Sequence, residues 1–445
     1  MSESSQPEHL QPEHFQTLVV GAGPAGIAAA TSAAEAGSRV GLLDDNPDLG
    51  GQIWRAQLGK PGPDVSHGGG AEHWRNRLLA SSVTRLQGWS VFDHPEPQTL
   101  RAERHETAAD FTYDQLILAT GARERFLPFP GWTLPNVMGV GAIQAMVKGG
   151  LPVRGKRIVI AGSGPLLLAV AATLQSAGAI VVCIAEQASL ASLAPFALSL
   201  ITHPAKVLQG LRYKAATIDV PFHTSSWPLE ARGTDCVTSV VLSLHGRTEE
   251  IRCDYLACAF HLVPNTELPA LLGCRIEHGG VTQAVVIVDE LQRTSAANIF
   301  CAGEPTGIGG LELSLLEGEI AGLTAAGQSD KARRLLPKRK SMSRFATRLA
   351  KAFTLRPELK TLPTDATIVC RCEDVTFGAL RNHPSWRAAK LHTRCGMGPC
   401  QGRVCGAATS FLLGWNADSV RPPMFPALIS SLASTEKATA PPSSD

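Results

Sequence analysis

The stretch Thr17-Leu18-Val19-Val20-Gly21-Ala22-Gly23-Pro24-Ala25-Gly26-Ile27-Ala28-Ala29-Ala30 decides the fold. An apolar, strand-forming run enters a GxGxxG turn, and an alanine-rich helix leaves it. Gly21 permits the tight turn, Gly23 lets the backbone approach a pyrophosphate, and Gly26 allows the helix to pack closely on the strand. Pro24 and Ala25 open the helix, whose N-terminus offers unpaired N–H groups and partial positive charge to phosphates. The spacing continues through Gly37 and Val40 to Asp44 and its neighbour Asp45, at the end of a second strand. A carboxylate there accepts hydrogen bonds from a ribose diol and repels a 2′-phosphate.

Two later segments turn a nucleotide site into an FAD site. Leu116–Ala119 is a buried strand that ends at Thr120-Gly121-Ala122. Ile299-Phe300-Cys301-Ala302-Gly303-Glu304 resembles the distal FAD motif of flavoproteins with two dinucleotide-binding domains. By that resemblance, Glu304 binds the ribityl or pyrophosphate region. The glycines Gly307, Gly309 and Gly310 then open a helix aimed at the isoalloxazine, where its dipole favours negative charge on reduced flavin.

A second strand–turn–helix unit starts at Lys156 and carries Gly162-Ser163-Gly164-Pro165-Leu166-Leu167, with Leu167 where the third glycine would stand. A strand, Ile180–Ala185, leads to Glu186, which would favour NADH over NADPH. NADH, another nucleotide such as ATP, or a relic pocket all remain open for this unit. The order is one nucleotide domain, a second inserted in it, and a return to the first. The fold class is therefore α/β, with two interleaved doubly wound dinucleotide-binding domains of glutathione-reductase type and a small C-terminal domain whose Cys370, Cys372, Cys400 and Cys405 suit an iron–sulfur centre. No cysteine precedes Cys183, and Cys253 and Cys258 lie in apolar segments, which speaks against a disulfide reductase. His261, between Phe260 and Leu262, reads as a core histidine rather than a base.

The expected organisation is a disordered tail over 1–14, an FAD-binding domain over 15–150 and 275–330, and a second nucleotide-binding domain over 151–274. A basic linker (331–364), a [2Fe–2S] domain (365–432) and a disordered tail (433–445) follow. Residues 56–72 read as a Gly/Pro/His-rich surface loop. Residues 331–360 hold eleven Lys/Arg against one acid, Glu358, which reads as a solvated linker helix. The whole chain, at 445 residues with 18% charged residues and a net charge near +2, has no field that suggests nucleic acid. Its polar start lacks a secretory signal, and the longest apolar stretch, broken by Gly162, Gly164 and Pro165, is too short for a bilayer span. With eleven cysteines and no signal, the expected location is the cytoplasm, free or peripheral at the inner membrane.

Near the C-terminus, Cys370-Arg371-Cys372 is followed by Cys400 and Cys405. Four thiolates suit a [2Fe–2S] cluster or a structural zinc, but CxC plus Cys-x4-Cys does not match the paired CxxC knuckles of zinc ribbons. Arg371, Arg394 and Arg403 can offset the cluster's charge, and Gly396, Gly398 and Gly402 let amides approach sulfur. Cys395 falls outside that spacing and is set aside.

Together these residues make the chain resemble the FAD-containing alpha (A) subunit of heteromeric amino-acid and opine dehydrogenases. Octopine/nopaline oxidase, D-hydroxyproline dehydrogenase, dye-linked L-proline dehydrogenase and hydrogen cyanide synthase belong to that family, and sarcosine oxidase has a related region. The carriers are Gly21–Gly26, Gly50-Gly51-Gln52-Ile53-Trp54-Arg55, Ala119-Thr120-Gly121-Ala122-Arg123-Glu124, Gly162–Leu168 and Cys395–Arg403. The C-terminal part is similar to the bacterioferritin-associated-ferredoxin type of [2Fe–2S] domain, with a short stretch between Cys372 and Cys400. The resemblance places FAD on Gly21–Gly26, Asp44, Asp45, Gly51, Gln52, Arg55, Thr120, Gly121, Gly303, Glu304 and Gly310.

It also implies an oxidoreductase acting on CH–NH or CH–NH2 donors. A separate flavoprotein of amino-acid-oxidase type, a partner subunit, removes the hydride, and this chain relays electrons to an acceptor, with room for a third small subunit. The competing expectations are a self-sufficient NADH-dependent reductase and a non-catalytic subunit that binds ATP in its second nucleotide domain.

Overall fold

The structure is a computed structural model that describes residues 10–54, 70–200, 204–279, 284–416 and 420–433. Strand β1 (Leu10–Val20) runs into helix α1 (Pro24–Glu35) and strand β2 (Val40–Asp44). Strands β3 (Thr84–Gln87), β4 (Ser90–Asp93), β5 (Thr99–Arg104) and β6 (Thr107–Leu118) complete this half. The sheet order is β3-β2-β1-β6-β5-β4; the first four strands are parallel, and β4, β5 and β6 form an antiparallel meander.

Residues 10–14, expected as tail, belong to β1, where Leu10 and His14 pair with Ala109 and Thr112 of the long strand β6. Residues 1–9 lie outside the described residues, as do 56–69 of the expected loop; residues 70–72 already belong to a helix, Gly70–Ala80.

The inserted domain has its own five-stranded parallel sheet. It contains β7 (Val137–Gly139), β8 (Arg157–Ser163), β9 (Ile180–Glu186), β10 (Phe222–His223) and β11 (Tyr255–Phe260), in the order β10-β9-β8-β11-β7. Helix α2 (Leu166–Ser176) follows β8. Leu167, in the third-glycine position, is fully buried with Ile158, Ile160 and Val170, so it serves as core. The chain then returns to the first sheet through β12 (Ile299–Cys301), parallel to β6, and helix α3 (Leu311–Ala325).

Helix α3 lies directly on α1. A Cβ added at Gly318 would stand 2.1 Å from the Ala25 carbonyl oxygen, and one at Gly322 would stand 2.2 Å from that of Ala29. Only glycine allows two helix backbones to approach this closely.

The basic segment is not a solvated linker. It forms a short helix, Ser329–Arg333, and helix α4 (Leu336–Ala352). Leu335, Leu336 and Met342 pack against Leu316 and Ile320 of α3. Further on, Ala352 and Phe353 are buried with Ala188, and Leu359 and Leu362 join the core of the second domain. The charge count concealed these apolar positions because the cations occupy the outer face of an amphipathic helix.

The cysteine module holds a two-stranded ribbon, Ile368–Cys370 with Val375–Thr376, helix α5 (Trp386–Thr393) and helix α6 (Cys405–Leu413). Its small core is Val369, Cys370, Val375, Leu380, Ala389, Cys395 and Cys405. It touches both nucleotide domains. Phe411 packs on the second domain's core, while Met424 and Phe425 pack on the first. Ala433 ends a short helix, Ile429–Ala433, and residues 434–445 lie outside the described residues.

The α1–α3 contact makes a direct prediction. Gly322→Val should overpack it at about 1–3 kcal/mol, lowering the melting temperature and the flavin content together. An unchanged melting curve would show that the helices do not meet as closely as described.

Candidate functional site

The first glycine turn has the shape of a phosphate cradle. A Cβ at Gly21 would stand 2.2 Å from the Ala119 carbonyl oxygen, and one at Gly26 would stand 1.7 Å from that of Gly21. These two glycines lock strand, turn and helix together. Gly23 differs: an added Cβ there meets no atom within 4 Å, so its side of the turn is open. Helix α1 begins at Pro24 without a side-chain cap, which leaves its first N–H groups for a ligand. Asp44 is buried and accepts from the N–H of Ala22 at 2.5 Å and of Asn46 at 2.7 Å. Asp45 is exposed and holds the Asn46 side chain at 2.6 Å.

The other predicted residues converge on this turn. A Cβ at Gly51 would come within 2.9 Å of the Gly23 Cα, with Gln52 next along the same short helix. Arg55 lies outside the described residues. The Thr120 hydroxyl donates to the Asn265 carbonyl at 2.8 Å, and the Gly121 carbonyl accepts from the Asn265 N–H at 3.0 Å. A Cβ at Gly303 would stand 2.8 Å from the Ala25 Cβ, so the distal motif abuts the first turn of α1. Glu304 accepts from the Gly310 N–H at 3.0 Å and from the Ser314 hydroxyl at 3.3 Å. Its second oxygen, Oε2, is buried without a partner, and burial pushes the carboxyl up to about 7. An orphaned acceptor beside an open, uncapped glycine turn fits a bound dinucleotide with hydroxyls to donate.

Sequence reasoning missed the support beneath the distal motif. Glu317 is buried on α3, accepts from the Gly303 N–H at 3.2 Å and the Thr306 hydroxyl at 3.1 Å, and pairs with Arg339 of α4 at 3.1 Å. Glu124 also went unassigned as an individual residue. Its carboxylate accepts from the Gly141 N–H at 2.7 Å and caps the helix Val140–Lys148. The amides and hydroxyl that these two acids hold lie far from them in sequence, so no local pattern marks the role.

The second glycine turn is arranged differently. A Cβ at Gly162 would stand 1.9 Å from the Ala259 carbonyl oxygen, whereas Gly164 is open. Glu186 is buried and accepts from the N–H groups of Gly164 at 2.7 Å and Ala188 at 2.8 Å; burial pushes its carboxyl up to about 7. Pro165 is exposed at the N-terminus of α2.

In a doubly wound sheet a ligand lies outside the carboxyl ends of the strands. Here the chain itself lies there. The Phe353 carbonyl accepts from the Ser163 hydroxyl at 3.2 Å, from Gln187 Nε2 at 3.3 Å and from His261 Nε2 at 2.5 Å. The Arg356 N–H closes the arrangement on Gln187 Oε1 at 3.0 Å. His261, lowered to about 4 mainly by burial and next by Arg125, is thus a neutral, satisfied histidine.

The five C-terminal cysteines separate into two groups. The Sγ atoms of Cys370, Cys395 and Cys405 lie within 4.8 Å of one another, and all three residues are buried. Cys372 and Cys400 lie outside, 3.6 Å apart. Cys395, excluded on spacing, therefore sits inside the cluster. Hydrogen bonds from the Cys395 and Cys405 thiols hold Cys370 down to about 2, so it is the readiest thiolate of the trio. A Cβ at Gly398 would stand 2.2 Å from that of Cys372, and Trp386 fills the space beside Gly396 and Gly402. Of the basic neighbours, Arg394 pairs with Glu373 at 2.8 Å, Arg371 stacks on Trp132 at 5.4 Å, and Arg403 stacks on Phe425 at 3.7 Å. Cys253 and Cys258 are buried in the second domain's core, where burial pushes Cys253 up to about 12.

Comparison with known proteins gives the family of this fold. The profile of pyridine nucleotide-disulphide oxidoreductases matches residues 15–328. The A subunit of opine oxidase from Rhizobium meliloti is 31% identical over 94% of this chain and 98% of its own length. Hydrogen cyanide synthase subunit HcnB of Pseudomonas protegens is 30% identical over 87% of this chain and 89% of its own. The crystal structure of L-proline dehydrogenase from P. horikoshii has the same fold, with a TM-score of 0.68 over 96% of this chain and 80% of that one at 18% identity. The chain therefore belongs to the pyridine nucleotide-disulphide oxidoreductase family, and within it to the group of flavin oxidoreductase subunits that includes the A subunit of opine oxidase.

Proposed function

We propose that this chain is the electron-transfer subunit of a heteromeric dehydrogenase or oxidase that oxidises an amino acid, imino acid or opine at its C–N bond. The substrate-oxidising flavin is on a partner subunit of amino-acid-oxidase type. The observation that carries this reading is a five-cysteine module docked on a flavoprotein fold whose N-terminal half has no redox cysteine, the first in the chain being Cys183. The similar proteins named as subunits of opine oxidase and of hydrogen cyanide synthase support the partner and the C–N chemistry. No helix among the described residues is long and apolar enough to cross a membrane.

FAD bound at Gly21–Gly26 would supply two-electron chemistry, and a [2Fe–2S] cluster on Cys370, Cys372, Cys400 and Cys405 would supply single-electron chemistry. The chain's own residues hold these groups. Gly23 and the N-terminus of α1 receive the pyrophosphate, Asp44 the ribose, and Glu304 Oε2 a ribityl hydroxyl. The N-terminus of α3 presents positive potential to the flavin ring. Cys395 hydrogen-bonds to Cys370 and adjusts how electron-rich that sulfur is.

The second nucleotide domain takes no part in hydride delivery on this reading, because the Phe353–Arg356 segment fills its crevice. That disfavours the NADH-dependent reductase. The second reading is a non-catalytic subunit that binds ATP in this domain, which the open side of Gly164 favours.

Affinity purification of the tagged chain from its native host under anaerobic conditions tests the assignment. A co-purifying second flavoprotein is expected; the chain alone, with its flavin bleached by NADH, would overturn it.

Two substitutions test the centres. Gly23→Val should leave the fold within about 1 kcal/mol of wild type, since its Cβ meets nothing, yet abolish flavin binding. Flavin retained at wild-type stoichiometry would move the site elsewhere. Cys400→Ser should remove iron and visible cluster absorption while sparing the flavin, and Cys395→Ser should keep both. The reverse pattern would transfer the ligand role to the Cys370–Cys395–Cys405 trio.

A further inference from the structure

We propose that the cavity where the second nucleotide domain, the Phe353–Lys360 segment and the cysteine module meet binds a small organic oxyanion, with Arg125 as its anchor. The cavity measures about 480 Å³ and is lined by Arg125, His278, Thr354, Leu355, Lys360 and Phe411, among others. None of the glycine-turn residues, Asp44, Glu186 or the cysteines lines it, so it is separate from both nucleotide sites and from the sulfur cluster.

Arg125 is 2% exposed, and its Nε and Nη2 have no acceptor among the described residues. Its backbone is fixed on both sides: its N–H donates to the His261 carbonyl at 2.9 Å, and its carbonyl accepts from the Phe260 N–H at 3.0 Å. The strand thus fixes where the side chain starts, and the side chain ends buried at the cavity wall. Burial lowers its pKa only to about 10, so it is cationic at neutral pH. A buried cation without a counter-charge is destabilising, and a structure that keeps one usually supplies the anion from outside.

The surrounding charges reinforce the sign. Lys360 sits at the rim with its Nζ 5.6 Å from the Phe411 ring. No carboxylate among the described residues lines the cavity, and nearby Glu358 is committed to Arg356 at 2.5 Å. His261, packed beside Arg125, spends Nε2 on the Phe353 carbonyl. The planar fork of a guanidinium matches two oxygens of a carboxylate or phosphate. The volume falls within the range of small-molecule sites, and Leu355, Pro357 and Phe411 offer an apolar wall to an organic body.

The inference does not depend on the proposed subunit role. Titration calorimetry on the full flavin-loaded chain tests it, with inorganic phosphate, AMP and benzoate as probes. Either AMP or benzoate should bind saturably at one site, about 10-fold or more tighter than inorganic phosphate, and more weakly as salt rises. AMP alone would identify a phosphate ester, and benzoate alone a carboxylate. Arg125→Gln should abolish the heat. Because that variant can also perturb the fold, Lys360→Gln is the second: it should weaken binding about 3- to 10-fold and leave the flavin spectrum and melting temperature unchanged. Absence of saturable binding by all three probes overturns the proposal, as does binding that survives Arg125→Gln or ignores Lys360→Gln.

Discussion

The contact of α1 with α3 is the constraint on which the rest of the structure depends. The chain leaves the first sheet for about 180 residues before β12 returns to it, and the fit of Gly318 and Gly322 against the carbonyls of Ala25 and Ala29 seats the returning helix. That seating brings Gly303 against Ala25, so that Glu304, which holds the Gly310 N–H at the start of α3, follows directly on a contact with the first turn of α1. Two glycine motifs, nearly 300 residues apart in sequence, thus meet through helix backbones rather than through long side chains. The close-packed alanine and glycine faces leave little freedom for the register to slip.

Much of this was legible in the sequence where local chemistry is self-contained. A strand, glycine turn and helix announce themselves within a dozen residues, and both such units appear where expected. What could not be read were features set by distant partners. Residues 10–14 are polar enough to look like a tail, yet β6 is long enough to pair with them. The cations of α4 mask apolar positions that face α3, and Phe353 gives no hint that its carbonyl answers Ser163, Gln187 and His261. Spacing along the chain gives no sign of where Cys395 lies: the turn at Arg394, in a left-handed conformation at φ 64°, brings that thiol beside Cys370.

The two nucleotide units show how one motif diverges. Each has a buried acid accepting from its glycine turn, and each has one glycine that opens on empty space. Only beside the first does a buried carboxylate oxygen, Glu304 Oε2, stand without a partner among the described residues. In the second, Leu167 became core and the segment after α4 took the position a ligand would hold. The fold was retained because its apolar core does not require the ligand.

The cysteine module is fastened at several points. Trp132 Nε1 donates to the Ile368 carbonyl at 2.6 Å, Arg123 Nε donates to the Arg403 carbonyl at 3.1 Å, and the Met424 N–H donates to the Phe92 carbonyl at 2.7 Å. Anchors on both nucleotide domains mean that neither domain can rotate against the other without tearing the module loose. Such a clasp removes the swinging motion by which multidomain redox proteins often bring their centres together. On the proposed role, passage of an electron within this chain would be a tunnelling event over a fixed gap, its rate indifferent to solvent viscosity.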